Sequence, residues 1–544
     1  MRQTAIFVFT FFISLAVKAQ TMQDAINFSE YNYEGTARTI AMGNAFTAVG
    51  GDLGSISINP AGSAVAPYSQ VTVTPAVYIN TNNTIGLSFD KRPNGFQNKI
   101  KKTKTTGGIP NLGFTVNFNT NKTRGLKNVT VGFTANRSNS YRDAALAKGR
   151  NNHTSLTGAM AVATNGYNIN DLLDKNAWSN PKLPFGAILA AQSGLIENVS
   201  SDRLTEYVGI TEHLHLDPDG RPVLTPEGKL TIEQVPVDQT YSRLINGNKT
   251  DYAINIGFNI GDIFYFGANL GIISLDYEFE ETLIERAENP MLFQSTFKQL
   301  RHTYCYNTSG SGVYGKFGVL VTPFSGLRLG AAIQTPTVLK LHDYYFTEAS
   351  SEFIDHTKNA SAATPDGEYR YRLTSPFRFN AGIAYVLGKI ALFSADYEYC
   401  NYQNMRFAGH YATDSSEFEN VNNEINDLAG VQHCFRAGIE IKPLYGLALR
   451  LGYGFSTSPE KHFEEDSLTA GSLALYSGKE SWSHRYSFGL GYDEGGYFFG
   501  DLGCSARQNT DYIMPYADYA AIPSPTIKNT RWLWTVALTI GVRF

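Results

Sequence analysis

His213 and His215 are the two residues whose type and spacing come nearest to a metal or haem site. Alternate residues of an extended segment point to one side, so the two imidazoles would share a face and could both act as ligands. A turn sequence from Asp217 to Gly220 follows directly, however, and favours a solvated loop hairpin. Because nothing in the sequence fixes the axial geometry that haem needs, we predict no metal site and no cofactor.

The four cysteines could supply redox chemistry or a disulfide bond. Cys400 and Cys434 fall on the polar faces of two neighbouring predicted strands, and a cross-strand disulfide is chemically possible in an exported protein. Their heights along the two strands differ by several residues, which favours two free thiols. Both alternatives stay open from the sequence. We interpret Cys305 and Cys504 as small residues that face lipid.

Signatures of an enzyme are missing from the sequence. It contains no Gly-x-Ser-x-Gly nucleophile elbow, no paired-histidine zinc signature and no phosphate-binding loop. Scattered residues such as Ser483 and His484 are expected by chance in 544 residues. We therefore predict that the protein is not an enzyme. A formal net charge of -4 also disfavours nucleic acid as a partner.

The beginning of the chain predicts where the protein works. Arg2 is followed by a mostly apolar run over residues 5–17, and Val17-Lys18-Ala19 precedes Gln20, as in a secretory signal peptide. The run is too short to span a bilayer as a helix. We expect residues 1–19 to be a cleaved signal peptide. Because no cysteine follows the cut, we expect an exported chain without a lipoprotein anchor.

The elements that must position any site are predicted by alternation of apolar and polar residues with period two. In the last strand, apolar residues from Trp532 to Phe544 alternate with polar or small residues from Arg531 to Arg543. Mean hydropathy is -0.22, and no later stretch offers the roughly 20 apolar residues of a membrane helix. With 32 Tyr, 34 Phe and 50 Gly beside 4 Cys, the composition favours a membrane β-barrel over a disulfide-linked secreted protein.

The number of strands follows from the same pattern. We find roughly 15 candidate segments, joined alternately by tight turns and long loops. An even number is required if the first strand rises from the periplasm and the last one ends there, so residues 69–79 and 84–90 are joined as one strand. We predict an all-β fold, a transmembrane antiparallel β-barrel of about 14 strands over residues 68–544. The predicted long loops are 92–109, 141–249, 281–299, 347–367, 407–429, 458–479 and 509–528.

Residues 20–67 precede the first strand and are rich in Gly, Ala, Ser and Thr. Glycine permits tight turns and close approach of the backbone to its surroundings. We predict that this segment is an N-terminal hatch, a plug in the lumen of the barrel.

Within this segment, residues 35–49, Asp52 to Ile58 and then Asn59-Pro60-Ala61 resemble the N-terminal hatch of FadL/TodX-type outer-membrane transporters. In that family an Asn-Pro-Ala box ends the hatch just before the first strand. Later blocks such as Gly326 to Gly330 and Ala448 to Gly454 look like strand segments of the same family.

This resemblance implies a channel in the Gram-negative outer membrane for passive uptake of hydrophobic small molecules such as long-chain fatty acids. Asn59, Pro60 and Ala61 would serve hatch structure and gating. A ligand would meet a hydrophobic groove among the outer loops, enter the lumen and leave sideways at a kinked strand. We also expect a monomer surrounded by outer-membrane lipids and inserted by the barrel-assembly machinery through the C-terminal Phe544.

The predicted loop 141–249 is a large, partly helical extracellular insertion that carries an apolar patch. The patch forms either a ligand groove or the internal packing of a helical loop, and the family resemblance favours the groove. Its candidate residues are Leu172, Leu173, Trp178, Leu183, Phe185, Ile188, Leu189, Leu195 and Ile196.

Charged residues on the predicted lumen face have two interpretations. Arg378, Arg436, Arg450 and Arg485 could bind a ligand carboxylate through charge-assisted hydrogen bonds. Alternatively, they pair with Asp and Glu of adjacent strands and clamp the hatch, which we favour for any single residue.

Two further functions remain as alternatives to uptake. A non-transporting FadL-like barrel could hold or shuttle exported proteins on its outer loops, as in type IX secretion. An outer-membrane lipid hydrolase would need a serine and a histidine that face lipid on neighbouring strands.

Overall fold

The computed structural model describes residues 20–87, 95–226, 230–388, 390–410, 417–461, 482–519 and 524–544. The predicted signal peptide, residues 1–19, lies outside the described residues. Fourteen antiparallel wall strands, some of them interrupted, form a closed ring, because the first strand pairs with the last as well as with the second. The predicted barrel and its number of strands are confirmed.

The wall strands are numbered 1 to 14 in chain order. Their bounds are Gln70–Leu87, Ile100–Asn119, Leu126–Ser140 continued by Asp143–Asn151, Val237–Ile260, Phe264–Ala287, Phe297–Phe324, Leu327–Gln334 continued by Val338–Phe353, Gly367–Thr374 continued by Arg378–Leu387, Ala391–Asn401 continued by Arg406–Gly409, Val431–Leu444, Leu447–Ser456, Ser483–Asp493, Phe498–Ile513 and Thr526–Arg543.

Wall strand 1 runs without interruption, which confirms that 69–79 and the start of 84–90 belong to one strand. One end of the barrel carries short turns such as Gly261-Asp262, and the other carries the long connections. We call these the turn end and the loop end.

An apolar band surrounds the wall near the turn end. On wall strand 5, the outward residues Phe266, Leu270 and Ile272 are exposed, whereas the polar Ser274 and Asp276 follow them toward the loop end. An apolar stretch over residues 264–272 matches the roughly 9 to 11 residues with which a tilted strand crosses a bilayer. The band therefore marks the membrane-spanning part of each strand.

Several connections are shorter than predicted, because the wall continues beyond the apolar band. Wall strand 2 begins at Ile100, inside the predicted loop 92–109. The predicted insertion 141–249 includes the extension Asp143–Asn151 and the first part of wall strand 4, which leaves residues 152–236 as the insertion itself. Strands likewise extend into the predicted loops 281–299, 347–367, 407–429 and 509–528.

These strand extensions were predicted as loops because the two strand faces exchange polarity above the apolar band. Asp276 and Glu278 face outward there, while Tyr277 between them is buried inside the barrel. Both strand faces keep period two, but water replaces lipid on the outside. A search for apolar outward residues could not detect such strands.

Helices are few and short. No helix in the described part of the chain is long and apolar enough to span a membrane. The α-helices are α1 (Met22–Ser29), α2 (Ala37–Ala41), α3 (Leu156–Thr164), α4 (Ile169–Leu172), α5 (Phe185–Gln192) and α6 (Glu419–Leu428), and two 3-10 helices, Leu53–Ser57 and Pro60–Val65, lie before wall strand 1.

Candidate functional site in the barrel lumen

Residues 20–67, hereafter the N-terminal segment, contact the inner wall on well-separated sides of the ring. The backbone N–H of Ala37 donates to Thr539 on wall strand 14 at 2.7 Å, and that of Thr47 donates to Asp396 on wall strand 9 at 2.7 Å. The Nζ of Lys316 on wall strand 6 donates to the carbonyl of Ser57 at 2.6 Å. The segment therefore crosses the lumen and is held around its circumference.

The Asn59-Pro60-Ala61 sequence forms a joint between the N-terminal segment and the wall. The side chain of Asn59 accepts from the N–H of Ala61 and caps the 3-10 helix that begins at Pro60. Its Nδ2 donates to the carbonyls of Thr47 at 2.6 Å and Val319 at 3.1 Å. A Cβ at Gly318 would overlap Asn59, so this strand must carry glycine there. The geometry shows a tight structural contact, and a gating role stays a prediction.

Arg378 and Arg436, two of the four predicted lumen arginines, converge on one carboxylate. Glu398 accepts from Arg378 at 2.8 Å and from Arg436 at 2.7 Å. Arg378 also donates to the carbonyl of Ser29, the last residue of α1. The rings of Tyr31 and Tyr33 lie against the two guanidinium groups, Tyr31 at 4.6 Å from Arg378 and Tyr33 at 5.1 Å from Arg436. This arrangement matches the interpretation of cross-strand pairs that hold the N-terminal segment.

Arg450 belongs to a second buried network. It donates to Glu440 at 2.6 Å and to Asp501 at 2.5 Å. Arg38 of helix α2 donates to the same Glu440 at 2.8 Å. Sequence reasoning missed Arg38, because nothing local in the chain indicates that residue 38 meets residue 440.

Arg485 differs from the other three predicted arginines. Its Nη2 donates to the backbone carbonyl of Asn32 at 2.8 Å, and it makes no ion pair within the described part of the chain. Arg507 lies nearby, buried, with its Nη1 lacking a hydrogen-bond partner among the described residues. Neither cation forms an ion pair with a carboxylate among the described residues, although Glu30 and Glu34 line the cavities beside them.

Two cavities adjoin this arginine pair. The lining of one, of about 50 Å³, includes Glu30, Arg436, Arg485 and Arg507. The lining of the other, of about 10 Å³, includes Glu34, Arg485 and Arg507. An apolar cavity that holds benzene measures roughly 150 Å³. A ligand of that size therefore cannot use these cavities unless the N-terminal segment shifts.

An aromatic chamber occupies the lumen above the apolar band. Helix α1 fills it with Met22, Ile26 and Phe28, and the Phe28 ring meets that of Tyr277 edge to face at 5.4 Å. The Tyr306 hydroxyl donates to Asp24 at 2.7 Å and fixes the helix. The chamber wall is formed by Tyr277, Tyr306, Leu339, Leu341, Tyr371, Leu373, Phe407, Phe418, Val421 and Ile425.

Sequence analysis did not find this chamber. Its signal was present as aromatic residues at period two, for example Tyr277 with Phe279 and Tyr369 with Tyr371. These residues face inward, on the face that was expected to be polar. The inversion above the band therefore concealed the most apolar part of the lumen.

Two solved structures share this architecture. A FadL homologue of Pseudomonas aeruginosa matches with a TM-score of 0.51 at 10% identity, covering 94% of this chain and 99% of that chain. The toluene transporter TodX of P. putida matches with a TM-score of 0.50 at 11% identity and the same coverage. The chain has a FadL-type fold. No protein-family model and no curated protein matches the sequence.

Above this FadL-type barrel, the described residues within 152–236 form a cap whose apolar core is shared with the upper wall, including Tyr241, Leu283 and Phe353. Ile188 and Leu189 of α5 are completely or almost completely buried, as are Leu172, Leu183, Leu195 and Ile196. Trp178 is half-buried and donates to Gln192, while Leu173 and Phe185 are exposed. Six of the nine predicted groove residues therefore form internal packing, the alternative interpretation, and they do not line an open groove in this structure.

The histidines and cysteines behave as ordinary structural residues. His213 and His215 lie in a short hairpin, half-exposed, and no cluster of metal-binding side chains occurs among the described residues. Cys400 and Cys434 are buried free thiols on neighbouring strands. Cys504 lies in the apolar band as predicted. Cys305 lies beyond the band, opposite Glu280 in the register of wall strands 5 and 6, and does not face lipid.

Proposed function

We propose that the protein is an outer-membrane channel for passive uptake of hydrophobic small molecules. The observation that carries this proposal is the aromatic chamber, an apolar space inside a membrane barrel that the chain fills with its own helix α1. Apart from Asp24, which accepts from Tyr306, the side chains of α1 that fill the chamber are mostly apolar, as an apolar ligand would be. The chamber is therefore suited to an apolar ligand whenever α1 withdraws.

In this proposal the loop end faces the outside, so a ligand reaches the chamber before it reaches the N-terminal segment. Movement of the segment then opens the way toward the turn end, past the Asn59-Pro60-Ala61 joint. No nucleotide motif is present in the sequence, so the ligand moves down its own gradient. The C-terminal Phe544 is exposed at the turn end, where the barrel-assembly machinery would recognise it.

Two classes of ligand are candidates within this function. Long-chain fatty acids are implied by the resemblance in the hatch sequence, and a neutral aromatic hydrocarbon is suggested by the toluene transporter that shares the fold. The chamber offers aromatic contacts to both. The free arginines Arg485 and Arg507 favour a ligand that also carries an acid group.

A reversible tether tests the gate. An ideal Cβ at Gly257 on wall strand 4 would lie 3.2 Å from the Cβ of Ala64, close to the usual 3.5 to 4.5 Å of a disulfide, once the Ser63 hydroxyl, 2.3 Å from that position, rotates away. We expect oxidised Ala64→Cys/Gly257→Cys protein, reconstituted in vesicles, to take up toluene and oleate at least about tenfold more slowly than after reduction. The single variants Ala64→Cys and Gly257→Cys are the controls. Fast uptake by a fully tethered, folded barrel would refute gating by this segment.

A further inference from the structure

The outward wall at the loop end carries three cations on adjacent strands, Lys340, Arg372 and Arg406, which we call the cationic rim. Inward neighbours such as Leu339 and Leu373 are buried, so the rim residues point away from the lumen. Lys340 lies one outward position beyond Val338, which pairs with Val313 of the apolar band. At about 3.3 Å per residue, Lys340 is roughly 7 Å above that pair, within a headgroup layer of about 5 to 8 Å.

Without an anion nearby, the positive charges of the cationic rim repel one another. Lys340 and Arg372 stand directly opposite each other in the pairing of wall strands 7 and 8, and like charges in such positions repel. Arg406 pairs with Thr374, one outward position from Arg372. None of the three contacts a carboxylate among the described residues.

The hydrogen bonds of the two arginines leave donors free. Arg372 donates through Nε to the carbonyl of Gly409 at 3.1 Å, and Arg406 donates through Nη1 to the carbonyls of Gln403 and Met405. The backbone thus positions both guanidinium groups. Their remaining N–H groups can donate to an external anion.

The charge carried by outward-facing residues at the loop end differs from one part of the wall to another. One step farther from the band, Arg370 and His342 are paired with Glu368, so the excess positive charge is confined to the level of the rim. On wall strand 5, the outward residue in register with Lys340 is the uncharged Ser274, and the next outward residues are Asp276 and Glu278. The three rim cations therefore lie together on one side of the barrel, away from Asp276 and Glu278.

We propose that the cationic rim binds the phosphate groups of an anionic lipid in the outer leaflet. Guanidinium groups donate pairs of N–H bonds to phosphate, lysine attracts the phosphate as a point charge, and the bound anion lowers the repulsion among the three cations. The inference rests on the membrane orientation of the proposed function, but it does not depend on what the channel carries.

Lipid binding by the detergent-solubilised full-length protein tests the proposal. Native mass spectrometry with EDTA present would compare bisphosphorylated lipid A, the same lipid without phosphates, and inorganic phosphate. We expect binding of the phosphorylated lipid alone, and about a hundredfold weaker binding by Lys340→Gln/Arg372→Gln/Arg406→Gln, since each cation contributes roughly a fivefold factor. Equal binding by this variant, or equal binding of the dephosphorylated lipid, would overturn the proposal.

Matched variants separate charge from folding. Lys175→Gln/Lys182→Gln/Arg221→Gln removes three exposed cations from the cap and should bind lipid like the unaltered protein. Lys340→Arg/Arg372→Lys/Arg406→Lys keeps the charge and should retain most of the binding. Heat-modifiable gel migration checks that each barrel is folded. Normal lipid binding together with absent uptake would reject the transport function and leave the rim assignment standing.

Discussion

Arg378 Nη1 lies 2.8 Å from Glu398 Oε1 inside the barrel, and both side chains are only 1% exposed. The same Arg378 reaches the last carbonyl of α1, so one ion pair joins the wall to the helix that fills the aromatic chamber. The guanidinium group of Arg378 therefore both pairs with the buried Glu398 and holds the helix that closes the lumen.

Loss of the Glu398 carboxylate is expected to be costly. Glu398→Gln leaves Arg378 and Arg436 facing a neutral amide, and an uncompensated buried charge costs about 3 to 5 kcal/mol. We expect the midpoint of urea unfolding in detergent to fall accordingly. Glu368→Gln, which removes the exposed partner of Arg370, should cost less than about 1 kcal/mol. Equal losses in the two variants would contradict this account.

The cap is expected to loosen as the pH rises. Burial raises the pKa of Glu285 from 4.5 to about 7, against hydrogen bonds from the Leu156 N–H and Gln239. A carboxyl with a raised folded pKa stabilises fully below its ordinary pKa, and this contribution is lost as the pH rises through about 7. The neighbouring Glu212 has a pKa that burial likewise raises to about 7.

Hydrogen exchange of α3 measures this effect. After correction of the exchange rates for base catalysis, we expect weaker protection at pH 8 than at pH 5.5, with a difference of roughly 2 kcal/mol from each of Glu285 and Glu212. Glu285→Gln mimics the protonated acid and should remove about half of that difference, leaving the contribution of Glu212. An unchanged pH dependence in the variant would show that Glu285 is not the group responsible.

Substitutions of apolar cap residues can distinguish a packed core from a ligand groove. Ile188 is 0% exposed and Leu173 is 55% exposed. Ile188→Asp buries an unpaired charge, so we expect at least about 3 kcal/mol of local destabilisation and rapid proteolysis within residues 152–236. Leu173→Asp should change the stability by less than about 0.5 kcal/mol. Reduced uptake by a stable Leu173→Asp protein would support the interpretation of the apolar patch as a ligand groove.

Much of the barrel could be predicted because its rules are local. Period-two alternation and the parity of strands gave the wall, and Asn59-Pro60-Ala61 was located before the first strand. The alternate faces of wall strand 10 also placed Arg436 and Glu440 inside the lumen. These features need only neighbouring residues in the chain.

The remainder depends on contacts that no local pattern encodes. Arg38 meets Glu440 across the lumen, and Arg507 is distinguished by an Nη1 that has no hydrogen-bond partner among the described residues. The burial of Ile188 depends on how the cap closes upon itself. The chamber was missed because the polarity of the two strand faces exchanges above the membrane.

The free arginines predict how an acidic ligand differs from a neutral one. Arg485→Gln/Arg507→Gln removes two buried cations that make no ion pair among the described residues, so the structural loss should be mainly that of the Arg485 hydrogen bond to the Asn32 carbonyl. We expect vesicle uptake of oleate to fall about tenfold or more, because charge-assisted hydrogen bonds to its carboxylate are lost. Uptake of toluene should remain within about twofold, since its contacts are with the aromatic chamber. An equal decrease in the uptake of both ligands would indicate that the substitutions disturb the gate. Unchanged uptake of oleate would show that these arginines do not contact the ligand.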